Sequence, residues 1–179
     1  MRDGTCLLIT GASGFVGTHA VEFALQSPRY QYVVATDIQP LDPRFTRDGE
    51  RKPLFIQADL TKSEDLVRLR SALRGVPHSN LIVWHIGGCF NYSAPRGLLY
   101  RVNVIGTKLL LETLLQLPVV RFVFWSGAVV YGDLDRYPDK LPATEEFPVS
   151  PKDDYGWSKK EAEDWILFFY KVFKVPVTI

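Results

Sequence analysis

The sequence predicts an α/β domain: a doubly wound parallel sheet with helices on both faces. Three observations carry that prediction. Short apolar runs alternate with helical patterns along the whole chain; the runs are apolar at nearly every position; and a glycine-rich turn joins the first run to the first helix. Parallel neighbours need crossover connections, usually helical, so strict alternation points to a parallel sheet. Strands covered on both faces lose the in–out alternation of a half-exposed sheet.

The elements follow in order. Thr5 to Thr10 (TCLLIT) reads as a buried strand, and about Gly14 to Gln26 as a helix opening on the glycines. Tyr32 to Thr36 and Leu54 to Ala58 read as the second and third strands, with a polar surface loop from Gln39 to Lys52 between them. Ser63 to Arg74 carries Leu66, Leu69 and Leu73 at helical spacing, with Thr61 or Ser63 as N-cap. Leu81 to Ile86 is a fourth strand, Gly97 to Leu117 a long Leu-rich helix, and Val119 to Trp125 a fifth strand. Asp133 to Lys152 is a long irregular stretch holding Pro138, Pro142, Pro148 and Pro151, the composition of a functional loop. Asp153 to Phe173 is a helix, and Val175 to Ile179 a sixth strand that has only just begun. The expectation is one domain over residues 1–179, cut short before a further part of the protein.

Composition narrows the function classes. The chain has 179 residues, of which 46% are hydrophobic and 13% aromatic, enough to bury a core. Net charge is +1, which gives no bulk basic excess for nucleic acid or an anionic membrane. No apolar stretch approaches a membrane span, since Glu112, Gln116, Pro118 and Arg121 interrupt the most hydrophobic region. Cys6 and Cys89 lie far apart in sequence and read as reduced thiols. The expected setting is soluble and cytoplasmic, with a small-molecule substrate; a homodimer is allowed for.

The motif Gly11-Ala12-Ser13-Gly14-Phe15-Val16-Gly17 follows a strand and opens a helix. Glycines there permit a tight turn, close approach of a pyrophosphate and close helix–strand packing. The helix N-terminus adds free N–H groups and partial positive charge. This is a Rossmann-type dinucleotide site on the sequence reading. Asp37 closes the second strand, where a carboxylate accepts hydrogen bonds from the adenosine ribose and repels a 2′-phosphate. No Arg stands in the glycine loop or among Ile38, Gln39 and Pro40, which favours NAD over NADP. Tyr155-Gly156-Trp157-Ser158-Lys159 sets Tyr155 and Lys159 at i and i+4 on one helix face. A neighbouring ammonium lowers a phenol's pKa, so Tyr155 is expected as a general acid/base tuned by Lys159.

These motifs together resemble the cofactor-binding part of an extended short-chain dehydrogenase/reductase, the group that includes NAD-dependent epimerases, dehydratases and 3β-hydroxysteroid dehydrogenases. The matching residues are TGASGFVG (Thr10 to Gly17), Asp59-Leu60, His85-Ile86-Gly87-Gly88, VNVIGT (Val102 to Thr107), VVYG (Val129 to Gly132), the Glu145…Pro148…Pro151 spacing and YGWSK. The resemblance implies that Asp59 and Leu60 sit by the adenine and that Ile86, Gly87 and Gly88 line the cofactor's centre. It also implies that Asn103 supports the site and that Lys159 binds the nicotinamide ribose. The resemblance further implies that the chain stops before the group's C-terminal substrate domain.

The chain departs from the group's pattern at Gly127, where members usually carry Ser or Thr four residues before the Tyr of VYG. Losing one such donor costs roughly 10²–10³ in rate. Ser126 is adjacent and is a catalytic candidate that could substitute if the backbone shifts, although a neighbour on a strand normally points to the other face. Ala128 and Val129 replace the acidic pair of sugar dehydratases, and Phe90 stands where sugar epimerases often have Lys. The expected function is therefore NAD-dependent hydride transfer at a secondary alcohol or ketone, sterol-like or nucleotide-sugar. A nucleotide-sugar epimerase and a non-catalytic NAD-binding sensor or scaffold are the alternatives. His85 reads as structural, with no metal set around it; His19 and His78 read as surface; Trp125, Trp157 and Trp165 as packed in or near the core.

Overall fold

A computed structural model describes residues 4–47, 51–136 and 138–179. Positions 48–50 of the expected 39–52 loop, and 137 of the proline-rich stretch, lie outside those residues. Six strands, β1 (Thr5–Thr10), β2 (Tyr32–Asp37), β3 (Leu54–Gln57), β4 (Asn80–His85), β5 (Val119–Phe124) and β6 (Val177–Thr178), form one sheet in the order β3-β2-β1-β4-β5-β6. Every pairing is parallel. The helices are α1 (Phe15–Gln26), α2 (Ser63–Gly75), α3 (Arg96–Leu99), α4 (Gly106–Leu114) and α5 (Asp154–Phe173). This is the doubly wound Rossmann architecture the sequence predicts.

Alternate residues of the central strands feed two cores. Cys6 and Leu8 of β1, Val34, Leu81, Val83, Phe122 and Phe124 face α2, α4 and α5, which contribute Leu69, Leu110, Leu111, Ile166 and Phe169. Leu7, Ile9, Val33, Ala35 and Ile82 face the opposite way, against Val21 and Ala24 of α1. Each fully buried aliphatic side chain is worth about 1.5–3 kcal/mol, so the continuous apolar runs are what the two-sided packing requires.

Several local expectations are corrected. The helix expected over 97–117 begins at Arg96, passes through a π-helical turn (Tyr100–Ile105) and ends at Leu114. Pro118 explains the early end, because it disfavours helix at the residue before it. The 39–52 segment is not wholly surface: a 3₁₀ turn (Pro43–Thr46) folds Leu41 and Phe45 into the α1 core. The N-cap of α2 is Lys62, with no side-chain cap from Thr61 or Ser63. His78 is buried, with Nδ1 2.8 Å from the carbonyl of Val76, whereas Trp157 is exposed. The sixth strand is only two residues long, since Pro176 precedes it and has no N–H for the ladder.

Gly17 fixes how α1 meets β1. A Cβ on it would lie 1.9 Å from the carbonyl oxygen of Gly11 and 2.9 Å from Cα of Ala12. Gly17→Ala should therefore destabilise the fold by about 1–3 kcal/mol through overpacking. At this chain length that is a fall in melting temperature of about 2–12 °C, readable by circular dichroism.

Candidate functional site

Strand order reverses between β1 and β4, and in open α/β sheets the crevice at that switch point binds ligands. Here the two loops leaving β1 and β4 touch. Gly11 has φ +68°, the left-handed region, and a Cβ on it would sit 2.6 Å from Cα of Gly87. Only glycine meets both conditions. The first intrahelical bond of α1 runs from Thr18 N–H to the Gly14 carbonyl, and the Gly14 N-cap supplies no side chain. The N–H groups of Phe15, Val16 and Gly17 thus have no partner within the helix and face the crevice mouth.

A cavity of about 1070 Å³ follows this crevice. Gly11, Gly14, Phe15, Val16, Gly17, Asp37, Ile38, Asp59, Leu60, Ile86, Gly87 and Gly88 all line it. Phe15 is 85% exposed and Ile38 58%, apolar surfaces left open along the cleft. Asp37 does more than wait for a ligand. Its Oδ2 accepts the Ser13 N–H at 3.0 Å and its Oδ1 the Gln39 N–H at 2.9 Å, while Ser13 Oγ donates to the Gln39 carbonyl. The acid thereby ties the glycine loop to the end of β2 and holds its carboxylate at the cleft. Asp59 is likewise fixed, accepting both the N–H and the hydroxyl of Thr61. Sequence reasoning missed the Ser13–Gln39 tie and the wall residues Thr61, Lys62, Arg101 and Val102. A Ser between loop glycines was the only signal available for the first of these.

Behind the loops runs a buried polar chain. His85 is 1% exposed, with Nδ1 2.7 Å from Thr10 Oγ1 and Nε2 2.8 Å from Thr107 Oγ1. The Thr107 hydroxyl donates to the Asn103 carbonyl, so it must accept from His85 Nε2–H. Thr10 Oγ1 accepts the Gly87 N–H, which leaves its own proton for His85 Nδ1. One neutral tautomer satisfies every member. Burial and the nearby Lys159 charge push the imidazole down to about 3. Asn103, on the π-helical turn, receives the Cys89 N–H at 2.7 Å and donates to the Cys89 carbonyl and to Ser158 Oγ. It supports the β4 loop and α5 without lining the cavity itself.

Helix α5 carries Tyr155 and Lys159. Asp153 caps it by accepting the Gly156 N–H at 2.7 Å, so the helix starts one residue before Tyr155. The two side chains share a face, but the expected tuning is not present. Lys159 is 5% exposed; its Nζ donates to the Trp125 carbonyl at 2.6 Å and sits 4.0 Å from the centre of the Phe124 ring. Burial lowers it to about 8, against a smaller opposing pull from Glu163. Tyr155 is raised instead of lowered, first by burial, then by Tyr92, Asp153 and Cys89. The ammonium is turned toward the end of β5, and the phenol is left among aromatic rings. Ser126 donates to Glu163, one turn beyond Lys159 on α5.

Two pH-dependent outcomes follow. The unfolded chain takes up a proton on His85 below about 6.5 that the folded chain refuses until about 3, so this residue's contribution to stability is lost as pH falls through that window. Nitrogen-15 shifts should show His85 neutral and protonated on Nε2 at pH 5; a titration near 6.5 would contradict the network. Lys159 works in the opposite pH range: below about 8 its buried charge costs stability relative to an unfolded lysine near 10.5. Lys159→Met should raise the melting temperature at pH 7, with the advantage shrinking between pH 8 and 10.5.

The chain matches the model of the "NAD dependent epimerase/dehydratase family" over residues 7–179. It is 31% identical over 168 residues to UDP-glucose 4-epimerase 2 of Arabidopsis thaliana, covering 88% of this chain and 45% of that protein. A UDP-glucose 4-epimerase 2 of Oryza sativa is 32% identical over 168 residues, with 88% of this chain and 39% of that protein covered. Among solved structures, a short-chain dehydrogenase/reductase superfamily protein of Agrobacterium tumefaciens with bound NAD superposes with TM-score 0.73 at 30% identity, over 97% of this chain and 48% of that one. The UDP-glucose 4-epimerase of Thermus thermophilus in complex with NAD gives 0.78 at 26% identity, over 96% and 53%. With the matched crevice, glycine loop and YGWSK helix in hand, the chain belongs to the NAD-dependent epimerase/dehydratase family of extended short-chain dehydrogenases/reductases, and it spans about half the length of the members it matches.

Proposed function

We propose that this chain binds NAD along the switch-point cleft and serves an oxidoreductase acting at a secondary alcohol or ketone. One observation carries the reading: Gly11 and Gly87 meet with no room for a Cβ, under the unpartnered amides of α1 and beside a tethered Asp37. Those residues fit a dinucleotide. The amides of Phe15, Val16 and Gly17 would hold the pyrophosphate, Asp37 the adenosine ribose, Asp59 and Leu60 the adenine side, and Ile86 to Gly88 the middle. NAD is favoured over NADP because a 2′-phosphate would face the Asp37 carboxylate. Neighbours crystallised with NAD support the same choice.

When bound, NAD supplies a hydride acceptor or donor. The proton is the protein's part. Tyr155, whose pKa burial raises, rests as a phenol and is poised to give a proton to a carbonyl oxygen. Lys159 holds its proton at neutral pH, and it must leave the Trp125 carbonyl to orient a ribose or to stabilise a Tyr155 phenolate. The relatives named as UDP-glucose 4-epimerases support a second reading, a nucleotide-sugar epimerase. Gly127 supports a third, a non-catalytic NAD sensor. The reading keeps a cytoplasmic setting, in line with two free thiols, Cys6 being pushed up to about 12 by burial. It also keeps a homodimer, in line with the exposed Leu167, Phe168, Tyr170 and Phe173 of α5. Among the described residues no helix is long and apolar enough to cross a membrane.

Nothing steric demands glycine at 127. Its φ is −160°, and a Cβ there would meet only Val129 Cγ1, at 3.5 Å. Titrating NAD into the protein should raise the melting temperature, and Tyr155→Phe should keep that upshift while abolishing ketone reduction. Gly127→Ser should raise turnover by roughly 10²–10³ by restoring a hydroxyl donor. No upshift with NAD would refute the cofactor assignment; binding without turnover in both wild type and Gly127→Ser would favour the sensor.

A further inference from the structure

Lys159 and Glu163 stand four residues apart on α5, so their side chains leave the same helix face. Both reach the end of β5, where they meet consecutive residues. Lys159 Nζ donates to the Trp125 carbonyl at 2.6 Å, and Glu163 Oε1 accepts the hydroxyl proton of Ser126, the next residue along. Two side chains one turn apart thus hold one dipeptide, the first by its backbone and the second by its side chain. The ammonium is buried and the carboxylate half-buried, a setting in which a charge without a counter-charge is costly.

Each group acts on the other's charge. Glu163 opposes the fall that burial imposes on Lys159, while the Ser126 hydroxyl and Lys159 oppose the rise that burial imposes on Glu163. The remaining charged groups around them have other partners. Lys160 and Asp164 act on Glu163 with opposite signs and pair with each other. Arg96 of α3 pairs with Asp154, and Lys108 of α4 with Glu112 while lying over the Trp165 ring. From β4 comes His85, neutral in its network; from β5 the Phe124 ring; and from the π-helical turn Asn103, bound to Ser158. Among the described residues Glu163 is the one carboxylate acting on the Lys159 ammonium.

We infer that Glu163 is the positioning residue of Lys159: its carboxylate, anchored on Ser126, supplies the counter-charge that holds the ammonium at the end of β5. This deepens the proposed role of Lys159 and rests on that role for its bearing on catalysis. Ser126 is then the anchor of Glu163, its proton committed to a carboxylate, and the place left by Gly127 stays without a donor. A lysine buried this deeply keeps its proton at neutral pH only narrowly, so a counter-charge one turn away decides how much ammonium is ready for a ribose hydroxyl or a Tyr155 phenolate.

The test follows the Lys159 ε-carbon of the 179-residue protein by NMR from about pH 6 to pH 11, with Lys159→Met assigning the resonance. Wild type should titrate at about 8. Glu163→Gln keeps the side chain's shape and an acceptor for Ser126 but loses the charge, so the midpoint should shift down. Ser126→Ala should shift it the same way by less, and Ser126→Thr should restore it. The coupling is reciprocal, so Lys159→Met should raise the Glu163 midpoint, a measurement that stands even where a Glu163 variant folds poorly. Glu163→Gln should also be less favourable to the melting temperature at pH 7, where Lys159 is charged, than at pH 10.5, and lose that pH dependence when combined with Lys159→Met. A glutamate with only a packing role would change stability equally at both. A Lys159 midpoint unmoved or raised in Glu163→Gln, or a Glu163 midpoint unmoved in Lys159→Met, overturns the inference; Ser126→Ala equal to wild type, or Ser126→Thr equal to Ser126→Ala, overturns the anchor. All of this is read without NAD. Absence of a thermal upshift on adding NAD to wild type defeats the cofactor reading and leaves the Lys159–Glu163 coupling standing.

Discussion

The contact on which the structure depends is the meeting of two backbone loops, after β1 and after β4, at the point where strand order reverses. Gly11, Gly17 and Gly87 make it by lacking side chains: a Cβ at either of the first two would overlap main-chain atoms. The approach has two effects at once. It seats α1 tightly against β1, and it leaves a strip of bare backbone where a phosphate can come close to amides. Asp37 then closes the strip from the β2 side by binding Ser13 and Gln39 amides. Stability and ligand reception thus rest on the same few atoms.

A second layer keeps those loops in register. Thr10, His85, Thr107 and Asn103 form a continuous buried relay from the end of β1, through β4, to the π-helical turn, and Asn103 passes it on to Cys89 and Ser158. In a low-dielectric interior such a relay is favourable only when each donor has an acceptor, and one histidine tautomer meets that condition. The π-helical turn, a feature often found at functional sites, presents Asn103 between the β4 loop and α5. Proton placement on a single ring therefore couples the cofactor loop to the helix bearing Tyr155.

The fold and the cleft were legible because they depend on local signals. Apolar runs without alternation announce two-sided strands, and glycines after the first of them announce the turn. The π-helical turn was not legible, since Tyr100 to Ile105 has the composition of an ordinary helix and only packing decides its extra residue. His78 was misplaced because periodicity says nothing of a single residue between elements. The Tyr155–Lys159 pair shows a deeper limit. Spacing put both on one face correctly, yet which way a flexible ammonium turns depends on the Trp125 carbonyl and the Phe124 ring, residues distant in sequence.

That turning has a physical logic. A lysine buried beside one carbonyl and one ring is poorly solvated, and burial draws its pKa down to about 8. A phenol buried among rings resists ionising. The lysine's buried charge therefore carries a cost in stability that the packing of α5 against the sheet covers. An oxygen-bearing ligand entering beside them would give the ammonium a second acceptor besides the Trp125 carbonyl. The resting arrangement thus leaves the Lys159 ammonium under-solvated, so its charge costs the fold stability rather than contributing to it.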